Sequence, residues 1–510
     1  MIQKGKGMVS KMKETDTENG RNVFVRVLAA VLLSALCLPL LASCGEGKGA
    51  GEETTVEEAM QDEYLDTQLP TATYDGADFG IIGAEHTKMM PGEEEISEPV
   101  HDALFRRNAK IAERYDVNYV YTQTTGGDVT NPTVESATLA NEHIYDLIYG
   151  NFTTCGTYFV NNGLIMSTDN IPHLNLSERW WSQDCMGQLT IGNKTLFLTG
   201  MIAYDHCTDG SCLFFNKSIT ENKALDNHFE DVRSYRWTLD KMQANMKAAA
   251  HDDNGDTVMD ATDTWGFTSG NTGGFPFAVS TGIVLLEYDE DGVPSVIQTP
   301  SDEIYTKVDK ICSILSNRRY SACWHAEGFA ETESSFTNGK ALYSMGLCQE
   351  GATTLRPADF YDFGILPFPM WDEEQGVYYS WANTWSGGGI YFPIINVQEE
   401  MTGVLVEAMA YQSGVEGGYY YSVLEKFIKG KGTYDYDSEE MVDLILSSKR
   451  YDLGIMFSWG IAYVVNDACQ NLWDWSGAPS GSSLSSIWAG RVRSAQQACR
   501  TTVRSWDRID

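Results

Sequence analysis

Hydrophobic residues first recur in a regular order between positions 79 and 121, and their spacing predicts a strand, a helix and a second strand. Phe79–Ile82 is short and apolar, which is typical of a buried strand. From Pro99 to Tyr115 the apolar residues lie on one helical face, and proline suits the first helical turn. Val117–Tyr121 is β-branched and aromatic, as strands are. A strand, a helix and a strand in so short a stretch predict a βαβ unit and therefore a parallel sheet.

Short apolar runs and amphipathic stretches continue to alternate as far as the C-terminus, and they predict an α/β fold throughout. Strands are predicted at His143–Tyr149, Leu196–Leu198, Cys212–Phe215, Gly364–Pro369 and Ile390–Pro393. Helices are predicted after the capping residue Thr238, over Ile304–Leu315 and Met401–Gln412, after the capping residue Asp437, and over Ser483–Trp506. Asn151 follows one of these strands, at the kind of strand end where open α/β sheets bind ligands.

The first 43 residues have the organisation of a secretory signal. Basic residues precede the apolar run Val27–Leu41, which is shorter than the roughly 20 residues that a spanning helix needs. The sequence Leu41-Ala42-Ser43-Cys44 resembles the bacterial lipobox, which implies that residues 1–43 are removed and Cys44 is lipidated. Ordinary cleavage, leaving Cys44 as a plain thiol, is the alternative. Residues 44–73 are rich in Gly, Glu and Thr and predict a flexible tether.

Charge and cysteine usage limit what the folded part binds. With 71 acidic and 36 basic residues, the formal net charge is −35. We therefore expect no nucleic-acid partner, and membrane contact only through the lipid anchor, because nucleic acids and anionic lipids bind clustered Lys and Arg. The 11 cysteines include no Cys-x-x-Cys pair, which argues against a zinc ribbon. Three alternatives remain open for Cys207 and Cys212. They form a disulfide, they are two buried thiols, or together with His206 they contribute to a metal site.

Residues 252–263 have oxygen-bearing groups at the spacing of an EF-hand calcium loop. The spacing assigns ligand positions to Asp252, Asn254, Asp256, Val258 (through its carbonyl), Asp260 and Asp263. Thr257 departs from the pattern, since glycine normally makes the sharp turn there, and Asp263 is one methylene shorter than the usual Glu. The loop predicts a structural Ca²⁺ site, with a solvated acidic turn as the alternative.

Several short motifs, taken in order, resemble those of one known family. They are Arg107–Tyr115, Tyr145–Gly150, Trp180-Trp181, Phe214–Lys217, Trp237–Asp240, Phe363–Pro369 and Tyr451–Gly454. Together with the lipobox they resemble the extracellular solute-binding lipoproteins of bacterial ABC importers, in particular the carbohydrate-type family 1 branch. The resemblance covers about residues 74–506. It implies a type II periplasmic-binding-protein-like fold, in which two α/β lobes, each a mostly parallel sheet flanked by helices, are joined by a hinge.

The resemblance also implies where the chain crosses between the lobes. Crossings are expected near Tyr204, Gly339 and Gly388. The first lobe would then comprise residues 74–204 and 341–388, and the second lobe residues 205–340 and 389–510.

A sugar ring has an apolar face and a rim of hydroxyls, so its site needs flat aromatic side chains beside hydrogen-bonding groups. Candidates near the implied crossings and at strand ends are Tyr204, Asp205, Asn151, Trp381, Trp385 and Trp459. Trp385 and Trp459 would stack on the sugar, and Asp205 and Asn151 would form hydrogen bonds with it. The alternative for the tryptophans is a place in the hydrophobic core.

The resemblance implies a monomeric binding protein on the outer face of the cell membrane, or in the periplasm of a double-membrane cell. It would capture a carbohydrate, expected to be an oligosaccharide, and deliver it to an ABC permease. The sequence has no G-x-S-x-G or H-E-x-x-H motif, and we expect no catalysis. There are two alternatives. One is a cell-surface glycoside hydrolase, because the abundant Asp and Glu residues do not exclude a catalytic pair of carboxylates. The other is a non-catalytic surface adhesion lipoprotein.

Overall fold

The computed structural model describes residues 63–84, 98–269, 274–323, 334–460, 464, 465, 468 and 483–510. Residues 60–510 form one compact unit. The predicted signal, Cys44 and residues 44–62 of the predicted tether lie outside the described residues. Signal cleavage and lipidation therefore stay predictions. No helix in the described part of the chain is both long and apolar enough to cross a membrane.

Two sheets and two short ribbons contain the strands. The strands are β1 (Ala77–Ala84), β2 (Val117–Thr124), β3 (Leu147–Asn151), β4 (Ser211–Asn216), β5 (Trp265–Ser269), β6 (Leu286–Tyr288), β7 (Pro294–Val296), β8 (Ser321–Cys323), β9 (Ala341–Leu347), β10 (Phe363–Leu366), β11 (Ser380–Trp381), β12 (Gly388–Tyr391) and β13 (Lys449–Arg450). The first sheet has the order β12-β3-β1-β2 and the second the order β10-β4-β9-β5-β8, while β6 pairs with β7 and β11 with β13.

Helices surround these sheets. The α-helices are α1 (Glu63–Thr67), α2 (Pro99–Tyr115), α3 (Gly127–Ala140), α4 (Thr157–Asn162), α5 (Gln183–Leu189), α6 (Asp205–Thr208), α7 (Lys217–Asn222), α8 (His228–Arg233), α9 (Leu239–Ala249), α10 (Gly274–Ser280), α11 (Asp302–Leu315), α12 (Glu399–Gly414), α13 (Tyr419–Tyr421), α14 (Gly430–Gly432), α15 (Tyr436–Ser447), α16 (Leu453–Met456) and α17 (Leu484–Asp507). Phe152–Gly156, Gly351–Leu355 and Ser422–Lys429 are π-helical, and Thr168–Asn170 and Glu373–Gln375 are 3₁₀ turns.

The first sheet contains the predicted βαβ unit. Strand β1 pairs in parallel with β2 and with β3, so that Ile81 lies beside Tyr121 on one side and Leu147 on the other. Helix α2 connects β1 to β2, and it begins at Pro99 with the Glu98 carboxylate as its cap. Its apolar face is buried, as the spacing predicted. The strand–helix–strand prediction is therefore confirmed.

The second sheet mixes the two kinds of pairing. Strand β4 is antiparallel to both β9 and β10, whereas β5 is parallel to β8 and β9. In the first sheet only β12 is antiparallel. The two sheets with their flanking helices confirm the expected two-lobed α/β fold.

The strand pairings differ from the expected lobe boundaries after residue 340. Strands β9 and β10 pair in the second sheet, so the assignment of 341–388 to the first lobe does not hold for them. Conversely, β12 pairs with β3, and α12 contributes Val404 and Leu405 to the apolar core of the first sheet. The assignment of 389–510 to the second lobe therefore does not hold for these elements. Pairing between strands distant in sequence decides this, and local motifs do not encode it.

Ordered structure begins before Tyr74, where the sequence placed the start of the fold. Tyr64 of α1 stacks on Tyr411 at 4.6 Å and donates a 2.8 Å hydrogen bond to Glu407. Leu65 is buried as well. The C-terminal part of the predicted tether is therefore packed against helix α12, because its aromatic residue finds both an apolar and a polar partner there.

Glu407 is fully buried in helix α12 and is surrounded by donors. The indole groups of Trp180 and Trp181 donate to its carboxylate at 3.0 and 2.9 Å, and the Asn175 backbone amide donates at 3.1 Å. Burial raises the pKa of Glu407, while these donors act in the opposite direction. A buried carboxylate needs such partners, so this network fixes the 175–181 segment and α1 on the same helix.

Three local predictions need correction, while the predicted cap Thr238 is confirmed and Ser483 is found to cap helix α17. Helix α15 is capped by Asp435, which accepts the Ser438 amide at 2.7 Å, and not by Asp437, which lies in its first turn. Leu196–Leu198 is not a strand, and of its residues Leu198 forms an isolated antiparallel bridge to Ile390. Strand β3 begins at Leu147, four residues later than predicted. The residue before it, Asp146, accepts the Gly80 amide with its side chain at 2.7 Å.

Candidate functional site

Three chain segments meet between the two sheets. The segment before β4 is bridged to the segment after β11 through Gly210 and Ala382, and β11 pairs in parallel with β13. The Asn383 amide donates to the Asp209 carbonyl at 3.2 Å. We call residues 205–210, 380–383 and 449–450 the junction.

Asp205 is the first residue of the junction and Asn151 lies close to it, but both side chains are engaged within the protein. Asn151 ends β3 opposite Gly388, and its Oδ1 accepts the Thr154 amide at 2.6 Å, which caps the π-helical turn that follows. The Tyr149 hydroxyl donates to Asp205 at 3.1 Å. A Cβ atom at residue 388 would lie 2.8 Å from the Asp205 carboxylate, so the close approach needs glycine.

Tyr204 is 4% exposed, and its hydroxyl is 3.4 Å from Gln349. Its ring contacts Phe427 at 6.2 Å. The structure therefore places Tyr204 in an apolar cluster beside the first crossing, where its ring packs in the interior.

Trp381 and Trp385 form an aromatic cluster with Phe275 of helix α10. Trp381 is buried and stacks on Phe275 at 5.4 Å, whereas Trp385 is partly exposed, 5.4 Å from Phe275 and 6.0 Å from Trp381. Val279 and Ile455 complete the cluster. Of the two tryptophans, Trp385 offers the ring surface that a sugar could contact.

Trp459 belongs to a different apolar cluster. It is 2% exposed, stacks on Phe457 at 5.9 Å, and donates through its indole nitrogen to Thr502 at 3.0 Å. Both its ring and its polar atom are satisfied in the core. The alternative of a core position thus describes Trp459 in this conformation.

The main cavity has a volume of about 840 Å³, within the roughly 300–1,000 Å³ of small-molecule sites. Its described lining consists of Gly187, Gln188, Val279, Thr281, Gly282, Ile283, Val284, Leu286, Tyr288, Glu303, Lys307, Trp371, Asp372, Glu374, Gln375, Tyr379, Arg450, Tyr451 and Asp452. Aromatic rings, charged groups and amides are thus present together. The six predicted ligand residues are not among the described residues that line it.

Segments that precede residues 205–210 in the chain and segments that follow them both line the main cavity. Gln188 lies on helix α5, and its side-chain oxygen accepts the Tyr451 amide at 2.8 Å. The Arg450 guanidinium lies 4.7 Å above the half-buried Tyr379 ring, and the Lys307 ammonium lies 5.8 Å from the Trp371 ring. These contacts hold the aromatic rings in place and leave hydrogen-bonding groups beside them.

Val279 connects the main cavity to the aromatic cluster. It lines the cavity and, like Trp385, also packs against the buried cluster of Phe275, Trp381 and Ile455. Phe275 and Val279 are one helical turn apart on α10 and therefore share a face. The predicted aromatic pair and the cavity are thus neighbouring parts of one region beside the junction.

Sequence reasoning missed Trp371, Tyr379 and Arg450. Each stands next to polar or aromatic residues, as in Trp371-Asp372 and Tyr378-Tyr379, and this mixture was the available signal. The convergence of residues 188, 307, 371, 379 and 450 depends on chain crossings that short motifs do not specify.

The predicted calcium loop folds into a series of turns. Asp252 accepts the amides of Gly255 and Thr257 at 2.7 Å, and Asp263 is buried and accepts the amides of Asp253 and Asp260. Thr257 has a φ of +71°, the left-handed conformation for which glycine is usual. Thr257 thus adopts this conformation without being glycine, while Gly255 in the same loop has a φ of +77°.

In the described residues, no three His, Cys, Asp or Glu side chains converge as a metal-binding group. Calcium binding by the loop stays a prediction. Cys207 and Cys212 are free and buried, which selects the thiol alternative over a disulfide.

The similarity of this chain to known proteins lies in its three-dimensional structure. No protein-family model and no curated protein matches the chain. The galacto-N-biose/lacto-N-biose I-binding protein of an ABC transporter from Bifidobacterium longum superimposes with a TM-score of 0.54 at 12% identity, over 86% of this chain and 99% of that one. An ABC substrate-binding protein from Listeria monocytogenes in complex with cycloalternan gives 0.51 at 11% identity, over 85% and 100%.

A third solved structure is the cyclic α-maltosyl-1,6-maltose binding protein from Arthrobacter globiformis, with a TM-score of 0.51 at 12% identity, over 84% of this chain and 99% of that one. The chain therefore has the two-lobed fold of ABC solute-binding proteins. The resemblance found in the sequence is confirmed at the level of the fold.

Proposed function

We propose that this protein is a carbohydrate-binding solute receptor of an ABC importer. The observation that carries the proposal is the main cavity, in which Trp371 and Tyr379 stand beside amide, carboxylate and guanidinium groups. Aromatic faces stack on the C–H face of a sugar ring, and the polar groups bind its hydroxyls. The named ligands of the three superimposed proteins, all carbohydrates, support this choice.

The mechanism is binding without catalysis. Elements from both sides of the junction line the cavity, so a ligand that contacts both sides favours their closed arrangement over the open one. The closed arrangement is the form that an ABC permease would receive, and closure around a ligand is a known use of hinged domains. The protein would act as a monomer, anchored through a lipid on Cys44 at the outer face of the membrane.

Calcium binding is a second part of the proposal. The loop 252–263 would hold Ca²⁺ through the oxygen atoms assigned from its spacing, and the ion would stabilise the segment between α9 and β5. We expect calcium to raise the melting temperature of the wild type and of Asp291→Ala, a change in another exposed acidic turn, but not that of Asp256→Ala. Equal melting temperatures with calcium and with a chelator would contradict it.

Thermal unfolding of residues 45–510 with a panel of mono- and oligosaccharides tests the carbohydrate proposal. A ligand present at 100 times its dissociation constant adds about 2.7 kcal/mol of stability. We expect a rise in melting temperature with the sugar recovered unchanged. Consumption of the sugar would support the glycoside hydrolase alternative, and no rise with any sugar would contradict a carbohydrate ligand.

A further inference from the structure

Trp371 lines two cavities at once. Besides the main cavity, a second cavity of about 590 Å³ is lined by Leu239, Asp240, Thr306, Asp309, Lys310, Ser313, Trp371 and Asp372. By volume, each cavity falls within the roughly 300–1,000 Å³ of small-molecule sites. The shared residues Trp371 and Asp372 therefore mark the place where the two cavities meet.

Helix α11 forms part of the wall of both cavities. Glu303 and Lys307, one turn apart, line the main cavity. Thr306, Lys310 and Ser313 line the second cavity and form the neighbouring stripe of the same helix. The two cavities thus lie side by side along one rigid element.

The Trp371 ring is held in a fixed position between them. Its backbone amide donates to the Gln375 side chain at 2.9 Å, and the preceding residue, Met370, accepts the Leu239 amide at 2.8 Å. The Lys307 ammonium lies 5.8 Å from the ring centre. A preorganised, half-buried ring at the meeting point is suited to stack on a sugar without a large cost of ordering.

The charges of the second cavity restrict what can enter it. Asp240, Asp309 and Asp372 are acidic, and the single cation in its described lining, Lys310, is paired with Asp240 at 2.6 Å. Carboxylates accept hydrogen bonds from hydroxyl groups but repel other carboxylates. Among carbohydrates, the second cavity therefore suits neutral, polyhydroxylated chains better than anionic ones.

We infer that the ligand is a neutral oligosaccharide whose chain passes over Trp371 from the main cavity into the second cavity. This inference rests on the proposed function and specifies the length and charge of the carbohydrate. One end of the chain lies beside Tyr379 and Arg450, its middle crosses the Trp371 ring, and the other end is bounded by helices α9 and α11.

Calorimetric titration of the whole protein with sugars of increasing length tests the inference. The probes are glucose and xylose, maltose to maltoheptaose, cellobiose to cellohexaose and xylobiose to xylohexaose, with oligogalacturonates as the anionic series. In at least one neutral series we expect the dissociation constant to fall by about tenfold or more from the dimer to the longest oligomer. The oligogalacturonates should not compete with the neutral ligand.

Blocking the second cavity should remove the gain from chain length. Ser313→Trp fills it, and we expect the long oligomer to bind no better than the dimer, while dimer affinity stays within about twofold. Ser494→Trp is the matched control, since both serines donate a 2.8 Å bond to the carbonyl three residues earlier on their helices. Thr306→Arg, at an exposed position of the same cavity, gives an independent block if Ser313→Trp unfolds.

The possible results separate this inference from the proposed function. Equal affinity for dimer and long oligomers, stabilisation by a monosaccharide alone, or full length dependence in both blocked variants would overturn the inference and leave the proposed function standing. Oligogalacturonates that bind as tightly as neutral chains would overturn the charge requirement. A wild-type protein that neither binds any probe nor is stabilised by any sugar of the wider panel would overturn the proposed function itself.

Discussion

Lys449 and Asp209 form an ion pair inside the junction, with 3.0 Å between Nζ and Oδ1 and side chains only 2% and 3% exposed. The Lys449 ammonium also donates to the His206 carbonyl at 2.8 Å. Burial raises the pKa of Asp209, and Lys449 acts in the opposite direction. The pair joins two of the three segments that meet between the sheets, so its loss should affect the whole fold.

Removing one member of this pair should be strongly destabilising. Lys449→Met leaves the Asp209 carboxylate buried without its cation, and we expect a loss of about 3–5 kcal/mol in the free energy of unfolding. Lys217→Met is the control, because the Lys217–Asp435 pair is partly exposed and should be worth less than about 1 kcal/mol. Urea denaturation measures both. Similar losses in the two variants would argue against a special role for the buried pair.

The packed N-terminal segment should detach when its aromatic anchor is removed. Tyr64→Ala deletes the ring stacked on Tyr411 and the hydrogen bond to buried Glu407, at a cost of about 2 kcal/mol. We expect a glutamate-specific protease to cleave after Glu63 more rapidly in this variant. Tyr436→Ala, at a tyrosine that is 87% exposed, should leave the cleavage rate unchanged. Unchanged cleavage in Tyr64→Ala would show that the anchor does not hold the segment.

Glu350 should make stability depend on pH. Burial raises its pKa to about 7 from the ordinary value of 4.5, so the native state retains a proton that the unfolded state releases. The contribution of protonated Glu350 to the free energy of unfolding is fully present below pH 4.5 and is lost as the pH rises to about 7. The free energy of unfolding changes by about 3 kcal/mol at most over this range.

We therefore expect Glu350→Gln to remove this fall in stability with rising pH. The measurement is the difference between wild type and variant in urea denaturation at several pH values between 4 and 8. Glu373→Gln, at an exposed carboxylate, should track the wild type throughout. A constant difference between Glu350→Gln and wild type across this range would contradict the raised pKa.

The two groups of aromatic residues should respond differently to truncation. Tyr379 lines the main cavity, so Tyr379→Ala should weaken carbohydrate binding about tenfold at nearly unchanged stability. Trp459 packs in the core, so Trp459→Ala should cost about 3–5 kcal/mol of stability. Thermal unfolding and calorimetric titration of both variants distinguish the roles. Loss of binding at full stability in Trp459→Ala would restore it as a ligand residue.

Local elements of the fold could be predicted because they depend on neighbouring residues. The apolar spacing of residues 99–115 and the capping residue Thr238 set their helices, and the structure agrees. Asp435 and Asp437 can both accept a backbone amide, and the sequence does not show which of them lies outside the helix. The prediction therefore named Asp437 as the cap, whereas the cap in the structure is Asp435. The same limit applies to strand β3, whose start depends on its partner β1.

The sequence by itself determined the α/β class, the resemblance to solute-binding proteins and Trp385 as a candidate, and the structure shows that this tryptophan is partly exposed. Only the tertiary structure decided that Trp459 is a core residue and that the cavity residues Trp371 and Tyr379 lie beside the junction. The physical reason is range: spacing and capping act within a few residues, whereas a cavity forms where distant segments cross. Strand pairing, as between β12 and β3, settles those crossings and thereby the composition of the site.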